Sequence, residues 1–486
     1  MFDDTAFESA NALPLYQQLY DHLRASILDG RLEKGAKIPS TRLLAAELGV
    51  SRNTVLNAYD QLIAEGYIES IEGKGTFVTR VLPEQHLSTP PHLYRQKGQT
   101  QPPPLRLSKR AEALLATPVL PYDYDNYAFR TGMPALDAFP YELWAKYIAR
   151  EAHRLHPLSL MAQDTIGYRP LREAIANHVT VARQVRCTPD QVIVVSGAQG
   201  ALDLAARVLV NPGEKVWMED PGYPGARGAL LAEGANIIPI PVDKDGLMVE
   251  VGLQRAPDAR MVYLTPSHQF PLGVSLSLAR RLMLLNWATH AGSYILEDDY
   301  DSEYRFTGRP LASLQGLDEN NRTIYIGTFS KVLFPSLRLG YLIVPEALVD
   351  AFRAMRHYVD GHTPGLEQRA LADFMTDGHF ARHIRRMRVL YSERRQYLLN
   401  AAHQLPLEIV APDMGMHLIG WLLDDIDDKA AARQAAIHHV HVLALSSLAM
   451  TTPSRSGLVL GYAAVNEHEI LEGVQHLAAA LKEVSA

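Results

Sequence analysis

The sequence predicts two folded parts: a large α/β domain with a mostly parallel sheet, and a smaller N-terminal domain of three helices and a β-hairpin. Short apolar segments alternate with amphipathic helices from about residue 122 onward, which is typical of α/β proteins. Before residue 66, apolar residues recur at helical spacing in three segments. A proline-rich stretch without sustained periodicity separates the two parts.

Length and composition are those of a globular protein with more than one domain. The 486 residues exceed what one core usually holds, and 47% hydrophobic with 21% charged residues is ordinary. No apolar run is long enough to span a bilayer, and residues 1–4 are acidic, unlike a secretory signal. A single cysteine, Cys187, excludes a disulfide framework or a multi-cysteine metal site. We therefore expect a cytoplasmic protein without a bound metal.

The N-terminal segment has the pattern of a helix-turn-helix. Gly30 follows a first amphipathic helix, and a second helix begins after Ser40 and ends at Gly49. Ser51 is a favourable N-cap for the third helix. The residues predicted to face inward are Leu15, Leu19, Leu23 and Ile27 in the first helix, Leu43, Leu44, Ala45 and Leu48 in the second, and Val55, Tyr59, Leu62 and Ile63 in the third.

The start of the third helix is the predicted point of contact with DNA, because that part of a helix-turn-helix enters the major groove. Arg52 pairs well with guanine and Asn53 with adenine, while Ser51 and Thr54 can donate to phosphate. Two short β segments after Gly66 predict a hairpin wing with Lys74 at its tip. A net charge of −7 gives no support for nucleic-acid binding, so a helical bundle with an incidental hairpin is the alternative.

Residues 1–80 resemble the GntR-type winged helix. The match lies in residues 38–42, 47–55, 65–66 and 73–78, with Gly30 and Leu62 also in place. The resemblance implies double-stranded DNA as a partner and Arg42, Arg52, Asn53 and Lys74 as contacting residues. Leu56 departs from the family pattern, in which a polar or basic residue is common at this point.

Residues 81–121 are predicted to be a proline-rich linker. Pro90-Pro91 and Pro102-Pro103-Pro104 interrupt a polar, glutamine-rich stretch, and such linkers are extended and semi-rigid. A short helix is predicted within the linker, between Ser108 and Leu115. The large domain then covers residues 122–486.

In the large domain, chemically active side chains follow predicted strands. Lys331 comes just after an apolar strand, where catalytic side chains of α/β sheets usually lie. Desolvation there lowers the pKa of an amine and prepares it for a Schiff base with an aldehyde. Arg338 supplies a cation for an anionic cofactor group, and Thr328 and Ser330 supply hydroxyl donors.

Other strand ends carry complementary groups. The turn after residues 192–195 predicts a phosphate cradle that uses the amides of Ala198 and Gln199. Tyr223 follows a strand on a Pro-Gly turn and either covers a ligand or packs the turn. His268 follows a further strand and, taken alone, is more often structural. Four acids, Glu297, Asp298, Asp299 and Asp301, follow another strand and repel one another unless a cation, such as a protonated pyridine nitrogen, neutralises them.

These groups together are what pyridoxal 5′-phosphate (PLP) requires, and the large domain resembles the fold-type I aminotransferases. The resemblance implies Lys331 as the Schiff-base lysine, Asp298 as the partner of the pyridine nitrogen and Tyr300 as the donor to the ring oxygen. It also implies Tyr223 as the stacking ring and Arg338 as the phosphate ligand. The further residues placed at the cofactor are Ala198, Gln199, His268, Thr328 and Ser330.

A GntR-type winged helix, a long linker and an aminotransferase-like domain, in that order, identify the chain as a member of the MocR family of transcriptional regulators. The family resemblance implies a homodimer that reads two DNA half-sites and senses PLP or an amino compound that condenses with it. Two alternatives stay open. One is an aminotransferase with an accessory DNA-binding domain, and the other is a DNA-binding dimer whose large domain is only a scaffold.

Two departures from the aminotransferase pattern argue against efficient turnover. Phe270 stands where an asparagine usually precedes the proline of the Pro-x-Gly turn. Val459 stands where an arginine usually binds the substrate carboxylate, and only Arg227 and Arg455 offer themselves as substitutes. We therefore expect cofactor binding without efficient transamination.

Overall fold

The computed structural model describes residues 13–83, 106–118, 128–157, 161, 164–308, 312–410, 413–423 and 426–485. The chain divides into two compact units, Met1–Arg106 and Leu107–Ala486. The linker prolines at 90–91 and 102–104 lie outside the described residues. Among the described helices, none combines the length and the apolarity that crossing a membrane requires.

The first unit has the predicted winged helix-turn-helix architecture. Its elements are α1 (Leu15–Leu28), β1 (Lys37–Ile38), α2 (Thr41–Leu48), α3 (Arg52–Ala64), β2 (Ile68–Ile71) and β3 (Gly75–Val78). The strands form an antiparallel sheet in the order β1-β3-β2, in which β1 was not predicted. Ser40 and Ser51 cap α2 and α3, and Gly49 ends α2 with a left-handed φ of 64°.

The core of this unit corrects three predictions. Leu44 and Leu62 are fully buried, as expected, but their neighbours Leu43 and Ile63 are 53% and 40% exposed. Each exposed residue lies next to a buried one, and successive residues of a helix point about 100° apart. The buried stripe is therefore narrower than the run of apolar residues in the sequence. Leu15, at the start of α1, is also largely exposed.

The second unit contains a large sheet with helices on both faces. Its helices are α4 (Lys109–Leu115), α5 (Tyr141–His153), α6 (Arg169–Arg183), α7 (Gly197–Leu209), α8 (Pro224–Ala232), α9 (Val249–Arg255), α10 (Leu278–Ala291), α11 (Leu314–Leu317), α12 (Val349–Val359), α13 (Gly365–Thr376), α14 (His379–Ala401), α15 (Asp428–Ile437) and α16 (Glu467–Ser485). The helix predicted inside the linker is α4, and Arg110 on it donates to the carbonyl of Ala232 in α8 at 3.1 Å.

The large sheet has eight strands in the order β4-β11-β10-β9-β8-β5-β6-β7. They are β4 (Val192–Val195), β5 (Lys215–Asp220), β6 (Asn236–Asp243), β7 (Gly246–Leu247), β8 (Met261–Leu264), β9 (Tyr294–Asp299), β10 (Thr323–Thr328) and β11 (Gly340–Ile343). The central pairs from β10 through β6 are parallel, while β11 is antiparallel to both of its neighbours. The apolar side chains of β4, β8 and β10 are buried on both faces, as expected for a covered parallel sheet.

A smaller antiparallel sheet closes the C-terminal part of the unit. It has the order β12-β13-β15-β14, formed by β12 (Leu407–Ile409), β13 (His417–Leu422), β14 (Leu443–Ala444) and β15 (Gly457–Gly461). Residues of α14, α15 and α16 share one apolar core with this sheet. The edge of β15 faces the segment around Phe129, because the Gly461 amide donates to the Phe129 carbonyl at 2.8 Å.

We expect Leu62→Ala to destabilise the first unit by about 2–5 kcal/mol, because it opens a cavity in a fully buried position. Hydrogen exchange of peptides from residues 15–78 in the full-length protein measures this loss. Ile63→Ala, one residue further and 40% exposed, is the matched control and should change stability by no more than about 0.5 kcal/mol. Equal effects of the two substitutions would contradict the core described here.

Candidate cofactor site and DNA interface

The chemically active side chains of the second unit gather at one edge of the large sheet. Strands β5, β8, β9 and β10 are parallel, so their carboxyl ends lie side by side. Strand β4 runs in the same direction, because β11 is antiparallel to both β4 and β10. The loops after these strands carry the residues predicted to bind the cofactor.

Lys331 lies in the loop after β10, and its amine points into this site. Its Nζ donates to the carbonyl of Gly132 at 2.7 Å, and its own carbonyl accepts from the Tyr304 hydroxyl at 3.2 Å. Burial lowers the pKa of the Lys331 amine, while the carboxyl groups of Asp301 and Asp298 oppose that shift. A desolvated amine of lowered pKa is the nucleophile that Schiff-base formation requires.

Asp298, at the end of β9, has an oxygen that is free to meet a ligand. Its Oδ2 accepts from the Tyr263 hydroxyl at 2.9 Å, whereas its Oδ1 is buried and has no hydrogen-bond partner among the described residues. Burial raises the pKa of Asp298 to about 7. A protonated ring nitrogen in front of Oδ1 would satisfy that oxygen and favour the carboxylate.

The other acids of this strand end already have hydrogen-bond partners within the protein. Asp299 accepts from Arg183 Nε at 2.6 Å and from the Tyr325 hydroxyl at 2.5 Å. Glu297 accepts from two backbone amides at 2.8 and 2.9 Å, and Asp301 lies 2.9 Å from His268 Nδ1. The idea that one pyridine nitrogen neutralises the whole acidic run is therefore wrong. Among these acids, Asp298 is the one with an oxygen available to the pyridine nitrogen.

An anion cradle lies at the N-terminus of α7. Gly197 opens this helix with a φ of 75°, and a Cβ there would lie 3.6 Å from Nη1 of Arg338 and 4.0 Å from Oγ of Ser330. Arg338 Nη2 donates to the carbonyl of Ser196 at 3.1 Å, which holds the guanidinium against the helix end. Amides of the helix N-terminus, a guanidinium and a hydroxyl thus converge on the space that a Cβ at position 197 would occupy, as a phosphate requires.

The remaining predicted cradle residues lie close by. Ala198 and Gln199 are in the first turn of α7, whose amides have no helical acceptor. The Gln199 side chain is used structurally, because it donates to the Gly225 carbonyl at 3.0 Å. Thr328 Oγ1 accepts from the Ser330 amide at 3.2 Å and so shapes the loop before Lys331.

Two tyrosines flank the space above the sheet edge. The rings of Tyr223 and Tyr300 each meet Phe270 edge to face, with centroids 5.9 and 6.2 Å apart. The Tyr300 hydroxyl lies 3.0 Å from Nδ1 of His268, which is buried and also bonded to Asp301. His268 therefore lies behind Tyr300 and orients its hydroxyl.

Sequence reasoning missed several residues that complete the site. Gly132, Tyr263 and Arg183 contact Lys331, Asp298 and Asp299, respectively. Arg183 is the last residue of α6 and Tyr263 lies in β8, so each carries an ordinary structural pattern. No local signal in the sequence marks any of the three.

The position expected to hold a substrate-binding arginine is apolar. Val459 is fully buried in a cluster with Phe270, Ile419, Leu445 and Leu448. Arg455 pairs with Glu408 at 2.5 Å and stacks over Trp421, so it is engaged elsewhere. Arg227 is half-buried on α8, one turn after Tyr223.

In the first unit, the predicted DNA-contacting residues lie on the surface. Arg52 and Asn53 are exposed at the start of α3. Ser51 accepts from the Thr54 amide at 3.1 Å, and their hydroxyls are 2.9 Å apart, so this part of the helix is held by its own cap.

The remaining candidates are exposed as well. Arg42 lies in the first turn of α2, and Lys74 lies in the turn that joins β2 to β3. Leu56 is 41% exposed on α3, so an apolar side chain takes the place of a polar one on this surface. The assignment of these residues to DNA contacts stays a prediction.

Two family models match the chain. Residues 15–78 match the bacterial regulatory proteins of the gntR family, and residues 138–477 match aminotransferase class I and II. The predicted fold class, a winged helix followed by an aminotransferase-like domain, is confirmed.

Similar proteins span nearly the whole chain. It is 41% identical over 472 residues to the probable rhizopine catabolism regulatory protein MocR of Rhizobium meliloti, covering 96% of this chain and 94% of that protein. It is 32% identical to the pyridoxine biosynthesis transcriptional regulator PdxR of Corynebacterium glutamicum, covering 93% and 92%. Kynurenine aminotransferase of Pyrococcus horikoshii, solved in complex with PMP, aligns with a TM-score of 0.69 and 27% identity over 78% of this chain and 95% of that one.

The geometry fits PLP as the cofactor. The unpartnered oxygen of Asp298, the enclosed amine of Lys331 and the cradle beside Gly197 correspond to its ring nitrogen, aldehyde and phosphate. All three lie at the carboxyl edge of the same sheet.

The two neighbouring aspartates should respond differently to the same change. Asp298→Asn should weaken PLP retention and leave thermal stability nearly unchanged, because the amide oxygen can still accept from Tyr263 while the charge that faces the ligand is lost. Asp299→Asn should lower stability by about 3–5 kcal/mol, because it leaves the buried Arg183 without its counter-charge. Absorption of bound PLP and tryptophan-monitored unfolding measure the two effects. A reversed outcome would move the ligand contact to Asp299.

Proposed function

The chain belongs to the MocR family of transcriptional regulators, which join a gntR-type DNA-binding domain to an aminotransferase class I and II domain, and we propose that it adjusts transcription in response to PLP or to an amino compound that condenses with it. One observation carries the proposal. The partly buried amine, the free carboxylate oxygen and the anion cradle lie together at the carboxyl edge of one sheet, on a chain that also carries a winged helix.

We assign a role to each residue of this site. Lys331 presents an amine of lowered pKa, Asp298 holds the proton of the ring nitrogen, and Tyr300 donates to the ring oxygen. Tyr223 covers the ring face and Arg338 binds the phosphate. When bound, PLP supplies an aldehyde that reacts with primary amines and a ring that withdraws electrons.

A regulatory response requires two arrangements of the protein that bind the ligand with different affinity. We propose that the protein acts as a homodimer in the cytoplasm, with two winged helices on two half-sites of double-stranded DNA. Ligand binding at Lys331 then shifts the dimer between two arrangements. The apolar surroundings of Val459 count against an aminotransferase with accessory DNA binding, and steady-state turnover with amino donors and 2-oxo acids separates the two functions.

Lys331→Ala should abolish the visible absorption of protein-bound PLP and the effect of PLP on DNA affinity. The measurement uses full-length protein and an operator selected from random duplex DNA, with and without PLP. Lys146→Ala is the matched control, because Lys146 is an exposed lysine on α5. The large domain is only a scaffold if Lys331→Ala loses the absorption but operator affinity and transcription do not respond to PLP in either the wild-type or the variant protein.

Arg52→Ala should reduce discrimination between the selected operator and random DNA by about 1–3 kcal/mol, because Arg52 is proposed to read a base. Lys74→Ala should weaken binding to both DNAs alike, because Lys74 is proposed to contact a phosphate. It should also reduce the slope of log affinity against log salt concentration by about 1. Fluorescence anisotropy titrations at several salt concentrations measure both. An equal loss on operator and random DNA for Arg52→Ala would remove its assigned role.

A further inference from the structure

We propose that Arg130 binds an anionic group of the amino compound received at Lys331, so that the preferred effector is an amine carrying a carboxylate or a similar anion. This inference rests on the proposed function and assigns the carboxylate contact that Val459 cannot make. Arg130 lies in the turn from Phe129 to Gly132, outside every segment that the sequence singled out.

One side of this turn packs along β15, next to the position of the missing arginine. The Thr131 hydroxyl donates to the carbonyl of Val459 at 3.5 Å, and the Gly461 amide donates to the Phe129 carbonyl at 2.8 Å. A Cβ on Gly461 would overlap the Arg130 carbonyl. The backbone of Arg130 thus lies directly against the strand from which a substrate-binding arginine would otherwise project.

The other side of the turn meets the reactive amine. The Gly132 carbonyl, two residues after Arg130, accepts from Lys331 Nζ at 2.7 Å. Burial is the main cause of the lowered pKa of Lys331, and the positive charge of Arg130 adds to it. An amine bound at Lys331 therefore has the guanidinium of Arg130 nearby. Arg130 lies on the side of the site where β15 has Val459 in place of an arginine.

The charge of Arg130 is available for a ligand. Arg130 is half-buried, and among the described residues no carboxylate forms an ion pair with it. By contrast, Arg394 is paired with Asp137 at 2.6 Å and Arg455 with Glu408. A half-buried guanidinium without a counter-charge is a favourable partner for an anion, which it can bind with two parallel hydrogen bonds.

A second basic side chain close to Lys331, that of His417, cannot take this role. His417 lies on β13, and burial lowers its pKa to about 3, with a further contribution from the charge of Lys331. The imidazole is therefore neutral at physiological pH, and its Nε2–H donates to the Pro271 carbonyl at 3.1 Å. Arg130 supplies the positive charge instead.

The test compares amines that differ only by a carboxylate. PLP-loaded full-length protein is titrated with glycine, β-alanine, 4-aminobutyrate and 5-aminopentanoate, each beside its carboxylate-free alkylamine, and binding is followed by the visible absorption. At least one amino acid should bind about ten-fold or more tightly than its alkylamine. Arg130→Gln should retain PLP and bring that ratio close to one. Arg455→Gln and Arg227→Gln are the controls and should retain the preference.

Two results would overturn the inference: wild-type protein that binds each pair alike, or Arg130→Gln protein that keeps both PLP and the preference. If Arg130→Gln does not fold, Arg130→Lys decides, because a retained charge should preserve part of the preference and a complete loss would contradict the role. Wild-type protein that does not take up PLP would refute the proposed function, and would do so before any amine is added.

Discussion

The buried acids at the end of β9 set the constraint on which the site depends. Carboxylates this close together, out of water, destabilise the fold unless each finds its own partner. Glu297 uses backbone amides, Asp299 uses Arg183 and Asp301 uses His268. Asp298 keeps one oxygen without a partner among the described residues. The protein thus stabilises its own strand end and leaves one charge for a ligand.

The site also joins parts of the chain that are far apart in sequence. The Lys331 amine contacts Gly132 near the start of the second unit, and the turn before Gly132 packs on β15 near its end. A ligand that takes the amine away from the Gly132 carbonyl changes the hydrogen bonding of a turn that supports the small sheet. The amine is therefore connected to the C-terminal part of the unit through two hydrogen-bonded contacts.

Much of this arrangement could be predicted because its signals are local. Lys331, Asp298 and Arg338 each follow a recognisable strand or loop, and the structure brings all three to one sheet edge. Arg183, Tyr263 and Gly132 could not be predicted, since only the folded chain shows which distant residue faces each of them. Leu43 and Ile63 were predicted to be buried because apolar spacing locates a helix face without giving its width.

Arg338 has a φ of 50°, in the left-handed region that non-glycine residues adopt at a cost of about 1–2 kcal/mol. In this unfavourable backbone conformation, the guanidinium of Arg338 donates to the carbonyl of Ser196. An anion bound in the cradle would contact the Arg338 guanidinium and stabilise this loop in its observed conformation. Without a bound anion this contact is missing, so the conformation of residues 334–339 would depend on whether the site holds an anion.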